Sequence, residues 1–312
     1  MAYGKPLLAI GLSVLFGGPA LAETTLFGSD DRGFVLAGDL GLMNIDAGEF
    51  VYDGEDRLSQ LDWESRGVVV FSVEAEAELK SDYLLKANFG AGMDGDSTMT
   101  DYDWLDAGTS DWTDRSLHPD TRLEHYVNGS LELHKRMWGD DDTDLHLGAG
   151  FKYTDLKWGA YGGSYVFSSA GGFRDVVGSF DEDERVISYR MQVPVTYASI
   201  SATQEIGQLT LVGNLKAGLS LGIDGTDDHW MRDLRFYDRM HAAPMIGLDV
   251  TASYAMAENF SLHLGGAFEK IFEAGGDTET VDYAQGTVSG PESGAGASFR
   301  SMSFTFGVSR QF

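Results

Sequence analysis

The chain has 312 residues, 22 Lys+Arg against 49 Asp+Glu, and a net charge of −27, which argues against nucleic acid as a partner because phosphate binding needs a basic footprint. Cysteine is absent, so disulfides, thiolate metal sites and thiol nucleophiles are excluded. The 18 Phe, 13 Tyr and 6 Trp make disorder a poor description despite the charge.

Residues 1–22 read as a secretory signal: Lys5 precedes the apolar run Pro6–Gly17, and Ala20-Leu21-Ala22 supplies a small-x-small cleavage site. Removing it takes away one Lys and no acid, for a mature charge of −28. The mature chain, residues 23–312, is expected to form one domain, since a single barrel can be this long. No later stretch holds 18 uncharged apolar residues, so no transmembrane helix is expected.

From there the hydrophobic period is two. After a first run near Phe34–Leu42, Val69, Phe71, Val73, Ala75, Ala77 and Leu79 alternate with Val68, Val70, Ser72, Glu74, Glu76 and Glu78. Three glutamates at spacing two share one face of a strand, whereas on a helix they would interrupt the apolar stripe. The alternation recurs through Tyr83–Ala91, Leu123–Leu133, Leu145–Tyr153, Ile187–Tyr197, Leu209–Leu221, Ile246–Tyr254 and Leu262–Phe272. Met302, Phe304, Phe306, Val308 and Phe312 close a tenth run. Ten runs behind a secretory signal predict an all-β, ten-stranded antiparallel transmembrane barrel, because an even strand count closes without edges.

Connection lengths alternate as well. Four are short, near Lys80–Asp82, Gly139–Thr143, Ser201–Gly207 and Ala257–Asn259; five are long, at about 45–66, 96–121, 159–185, 223–242 and 273–297. Short periplasmic turns and long extracellular loops are the pattern of outer-membrane barrels. The five long segments carry 29 acids and 8 bases, so −21 of the charge is expected at the extracellular rim. That rim reads equally as a solvated or divalent-cation-binding surface and as an electrostatic funnel for a cationic ligand. Glu74, Glu76 and Glu78 either line water or pair with the bases Lys86, Arg122, Arg136 and Arg190; pairing is favoured because ten strands leave little bore.

Two constellations carry chemistry. Asp101 and Asp103, two apart in an extended segment, project the same way and are able to share a proton or hold one water. Asp227 and His229, also two apart, make a carboxylate–imidazole pair suited to a general base. Each alone reads first as solvated loop side chains. Topology adds that both loops lie at the same mouth, after the third and seventh strands, where they can face one another. Two aspartates opposite an Asp–His pair describe a hydrolase without a covalent nucleophile. Gly90–Gly95 matches GxGxxG but ends a strand with no helix following, and Asn128-Gly129-Ser130 lies inside a strand, so neither is assigned a role.

Asp101–Asp106, Trp112-Thr113-Asp114, His118-Pro119-Asp120-Thr121, Ser59-Gln60-Leu61-Asp62-Trp63, Gly162-Gly163-Ser164-Tyr165, Gly172-Phe173-Arg174-Asp175, Gly178-Ser179-Phe180 and Asp227-Asp228-His229 together resemble the omptins, outer-membrane aspartyl-type endoproteases of Gram-negative bacteria. The resemblance is dense from about 49 to 180 and thin beyond 240. It implies that Asp227 and His229 activate water and that Asp101 and Asp103 help to position it. It also implies cleavage of cationic peptides or proteins beside basic residues. Glu49 would receive the base before the cut, and Asp114 would shape the pocket after it. It implies no metal or organic cofactor, with lipopolysaccharide as a candidate activator alongside outer-membrane lipid.

This sequence departs from the family pattern twice. The position two before the dyad aspartate, where the family carries a second acid, is Gly225, leaving the adjacent Asp224 as a substitute. Asp155 and Gln192 stand where the family binds lipid A phosphates, leaving Lys152, Lys157 and Arg190 as the nearby bases. The rival expectation is a non-catalytic barrel, an adhesin or an inactive scaffold of the same architecture.

Overall fold

Alternation of apolar and polar residues sorts each strand into a face toward lipid and a face toward the interior. The computed structural model describes residues 33–312 apart from Lys80, Ser81 and Ala107; the expected signal segment lies outside the described residues. Its strands are β1 (Phe34–Asp53), β2 (Asp56–Leu79), β3 (Tyr83–Met93), β4 (Asp96–Asp103), β5 (Asp114–Gly139), β6 (Thr143–Tyr161), β7 (Ser164–Ser169) and β8 (Gly172–Ser179). They continue with β9 (Arg185–Ile206), β10 (Leu209–Ser220), β11 (Ile223–His229), β12 (Leu234–Met240), β13 (Pro244–Ala257), β14 (Phe260–Asp282) and β15 (Thr287–Gln311).

Ten of these make a closed antiparallel ring: β1, β2, β3, β5, β6, β9, β10, β13, β14 and β15, each paired with the next. Closure is made by β1 with β15, from Val35↔Gln311 to Val51↔Ala295. The amide of Phe312 donates to the Phe34 carbonyl at 2.8 Å, tying the last residue to the start of β1. Outward positions such as Leu40, Leu42, Phe71, Val73, Leu147, Leu215, Phe304 and Phe306 are exposed and apolar, as a lipid-facing band requires.

The long connections are less irregular than expected, because most of their residues extend the sheet beyond the ring. β4 continues β3 and still pairs with β2 and β5. β11 continues β10 against β9, β12 pairs with β11 and β14, and β7 and β8 form a hairpin on β5. Breaks between ring and extension fall where the backbone turns: Gly95 at φ +95° separates β3 from β4, and Gly222 at φ +115° separates β10 from β11. A side chain at Gly95 would also lie 2.9 Å from the Arg66 carbonyl oxygen, so glycine there serves both the dihedral and the close approach. On the other side of the ring, β9 runs on to Ile206, so the third short turn is tighter than expected.

The interior has two storeys. The lower one is polar and surrounds a cavity of about 410 Å³. Lys86 pairs with Glu76; Lys216 Nζ lies 3.0 Å from Glu132 and 2.7 Å from Asp249; Lys152 Nζ lies 2.8 Å from Glu269; His263 lies 2.7 Å from Asp39. Pairing of the inward glutamates is therefore seen for Lys86 but not for the other three bases expected. Arg122 pairs with Asp120, Arg136 with Asp144, and Arg190 with Asp155. Strand alternation explains the correction for Arg122 and Arg190, whose neighbours Leu123 and Tyr189 take the interior face.

Above the polar storey lies an apolar floor. Trp63 stacks on Trp158 and on Tyr189 with ring centroids 5.8 Å apart in both pairs, among fully buried Ile45, Met99, Leu156, Met191 and Phe299. Its indole N–H groups are answered: Trp158 donates to Ser65 Oγ at 2.8 Å, and Ser65 shares a 2.7 Å hydrogen bond with Ser97. Replacing Ser65 by alanine leaves both partners short of a hydrogen bond in a dry layer. It is expected to cost about 1–3 kcal/mol, read as a lower urea midpoint for the refolded barrel with an unchanged slope.

Candidate active site

On β4, Asp101 and Asp103 project to the same inner side, above the floor, with Asp101 opposite Leu61 and Ser116 and Asp103 opposite Ser59 and Asp114. The Ser59 hydroxyl donates to Asp101 Oδ1 at 3.2 Å. Burial is the largest cause lifting the Asp101 carboxyl to about 8, and the neighbouring Asp103 charge adds to it. Asp103 is raised as well, chiefly by burial, with Asp114 adding repulsion. The couple is therefore built to retain a proton near neutral pH.

On β11, alternation puts Asp227 and His229 on the inner face. His229 Nε2 is 2.6 Å from Asp227 Oδ2, with side-chain exposures of 17% and 3%. Burial opposes charging the imidazole, but Asp227, by charge and hydrogen bond, outweighs it, and His229 is raised above its ordinary value. Its Nδ1 is 3.5 Å from Arg232, in the tight turn that follows. The intervening Asp228 faces away, held by Arg235 Nε at 2.5 Å. The two hairpins meet: the Asp101 charge raises His229, and the His229 charge opposes the rise of both Asp101 and Asp103.

A third element adjoins the dyad. Glu49 on β1 is 4% exposed and accepts the Trp63 indole N–H at 3.2 Å. Burial and the nearby carboxylates of Asp227 and Asp238 hold it well above the usual glutamate range. Among the described residues neither Glu49 nor Asp238 forms an ion pair. The barrel thus brings together, at one mouth, an acid couple, an acid–imidazole pair and the buried acids Glu49 and Asp238 beside it.

A sequence profile described as the Omptin family matches residues 31–312. This chain belongs to the omptin family. Among relatives, it is 27% identical to the plasminogen activator of Yersinia pestis, covering 98% of each chain. It is also 27% identical to the outer membrane protease OmpP of Escherichia coli, covering 98% of this chain and 99% of that one. The crystal structure of the outer membrane protease OmpT from Escherichia coli superposes with a TM-score of 0.87 at 25% identity, covering 90% of this chain and 97% of that one. This omptin is accordingly an outer-membrane barrel of a protease family, with the acidic mouth at the extracellular end.

Within the omptin mouth, Asp101, Asp103, Asp227 and His229 come together, and Glu49 lies beside Asp227. Asp114 stands opposite Asp103 at the rim, where its Oδ1 accepts the Ser168 amide at 3.1 Å. Asp224 does not join them. It lies on the outward face of β11 and is exposed, because Gly225 between it and Thr226 takes the inward position. Lys152 is excluded from any role on the outer wall, since it faces the lumen and is paired with Glu269. On the wall itself, Asp155 binds Arg190 and His125, and Glu124 binds Lys157 and Arg185.

Sequence reasoning missed Ser59 as a partner of the Asp couple, Tyr189 as floor and Asp238 as a buried acid beside the dyad. The motif Ser59–Trp63 held a signal for the first. Nothing in the linear order ties Asp238 to Glu49; the cross-strand register does.

Proposed function

We propose that this omptin is an aspartic-type endopeptidase that cuts cationic peptides or proteins beside a basic residue. The facing of the Asp101–Asp103 couple and the Asp227–His229 dyad across one mouth supports this reading. A peptide carbonyl between the two pairs meets a water whose proton passes to His229. Asp227 orients the ring and stabilises the imidazolium. Protonated Asp101 donates to the carbonyl oxygen as negative charge develops there, and Asp103 holds the couple's remaining charge. On collapse of the tetrahedral intermediate the His229 proton goes to the departing amine. Glu49 receives the cation before the cut, and Asp114 shapes the pocket after it.

The test is a refolded barrel with fluorogenic peptides carrying either arginine or the uncharged citrulline before the cut. Cleavage of the arginine peptide is expected, and its absence with and without lipopolysaccharide would sink the proposal. Lipopolysaccharide enters as an activator to be titrated. Because the outward bases are already paired with acids, activity in its absence is expected. Glu49→Gln is expected to lower kcat/KM on the arginine peptide by about 10- to 100-fold, the worth of one charge-assisted hydrogen bond. The citrulline peptide should be affected far less; equal losses on both would remove Glu49 from recognition.

A further inference from the structure

Beside the dyad and Glu49 stands a second buried acid, contributed by a different strand. Asp238 on β12 is directly opposite Gly225 on β11 and Thr278 on β14. It is 8% exposed. Alternation along β12 puts it on the inner face with Phe236 and Met240, and Phe236 packs edge-on against the His229 ring at 5.3 Å between centroids.

Gly225 makes room for this arrangement. A Cβ added there would lie 3.2 Å from the Tyr189 hydroxyl and 3.3 Å from Asp238 Cβ. A side chain at this position would press on both neighbours, and glycine leaves Tyr189 and Asp238 facing one another across β11.

Two buried polar atoms among these acids lack hydrogen-bond partners. Tyr189 is fully buried, and its hydroxyl, aimed at Gly225, has no hydrogen-bond partner. Asp227, 2% exposed, spends Oδ2 on His229 and leaves Oδ1 without a partner. Buried polar atoms without partners are costly and rare in folded proteins, so a group that donates several hydrogen bonds would satisfy what the free protein leaves open. Glu49 likewise has one indole donor for two carboxylate oxygens.

We infer that Asp238 is a specificity residue of this omptin, which together with Glu49 and the Tyr189 hydroxyl binds the guanidinium of a substrate arginine and selects it over lysine. A planar guanidinium presents five N–H donors in a fixed fork and reaches acceptors on two walls at once. A lysine ammonium is a compact point charge with three donors on a flexible stem. The electrostatics agree: burial first, and then the Asp227 charge, lift Asp238 to about 6, and a cation bound beside it would favour its charged form. The inference rests on the proposed endopeptidase reading and adds the residue and the preference that reading leaves open.

Three peptides differing only in arginine, lysine or citrulline before the cut test it with wild type, Glu49→Gln and Asp238→Asn. Wild type should prefer arginine over lysine. Asp238→Asn should lower kcat/KM on the arginine peptide by about 10- to 100-fold, with little change on citrulline and a collapsed arginine-to-lysine ratio. Asp238→Glu should recover part of the loss. If Glu49→Gln erases the preference for basic peptides while Asp238→Asn keeps the arginine-to-lysine ratio, the Asp238 assignment is wrong and the endopeptidase reading stands. Equal losses on all three peptides would make Asp238 a merely structural residue and overturn the assignment too. A wild type inert on every peptide would overturn both. Should Asp238→Asn fail to fold, inhibition of wild type by an alkylguanidine and an alkylammonium of equal length decides. Stronger inhibition by the guanidine is expected, and equal inhibition refutes the inference.

Discussion

Replacing His229 by alanine is expected to lower kcat/KM on a basic peptide by about 10³- to 10⁴-fold, with the barrel still folded. General-base catalysis by a positioned imidazole contributes about 10²–10⁴, and in the proposed mechanism His229 also returns a proton to the leaving amine. Its position rests on a short contact, 2.6 Å to Asp227, whose carboxylate is almost wholly buried. Asp227→Asn should therefore lose nearly as much, because the amide neither stabilises the imidazolium nor holds the ring in the same tautomer. The double variant should lose little beyond the worse single one, since groups that act as a unit are strongly non-additive. Heat-dependent gel mobility serves as the folding control. A folded His229→Ala barrel that keeps a tenth of wild-type activity would show that the dyad does not carry the reaction.

The second large effect concerns Asp101. Wild-type kcat/KM should be bell-shaped in pH. In the proposed mechanism the acid limb belongs to His229, which must be neutral to accept a proton; Asp227 raises its pKa, so activity should rise only above about pH 6.5, the ordinary histidine value. The alkaline limb belongs to Asp101, whose carboxyl, chiefly through burial, keeps its proton up to about pH 8. Above that, a carboxylate faces the developing oxyanion and activity falls. Asp101→Ala, which removes the donor, is expected to cost about 10²- to 10³-fold, the usual loss for one oxyanion donor. Asp101→Asn retains a donor that does not titrate, so it should lose less and its alkaline limb should disappear. Its acid limb should stay in place, because Asp101 keeps its proton up to about pH 8 and so is as uncharged as asparagine where that limb falls. An alkaline limb unchanged in Asp101→Asn would reassign it to another group and remove Asp101 as the proton donor.

These expectations depend on features of unequal visibility in the sequence. The Glu74-Glu76-Glu78 alternation named both strand and inward face, and the structure pairs Glu76 with Lys86 inside the barrel. Arg122 and Arg190 were misassigned because a basic residue does not disclose its face until the strand's phase is known; Leu123 and Tyr189 set that phase by taking the interior. The spacing of two in Asp101–Asp103 and Asp227–His229 was enough to put each pair on one side of an extended chain. Asp224 failed as a stand-in for the same reason, since an adjacent residue on a strand faces the opposite way.

From linear order alone come the all-β class, the ring of ten, the acidic end and the two reactive pairs, because period, connection length and charge are local properties that hold wherever the chain folds. Only the closed barrel brings β4 and β11 face to face, stacks Trp63 on Trp158 and Tyr189 beneath them, and sets Asp238 opposite Gly225. Those relations join residues up to well over a hundred positions apart. They depend on which strands become neighbours and in what register, and one residue of slip in that register would turn every catalytic candidate to the outer face of the sheet.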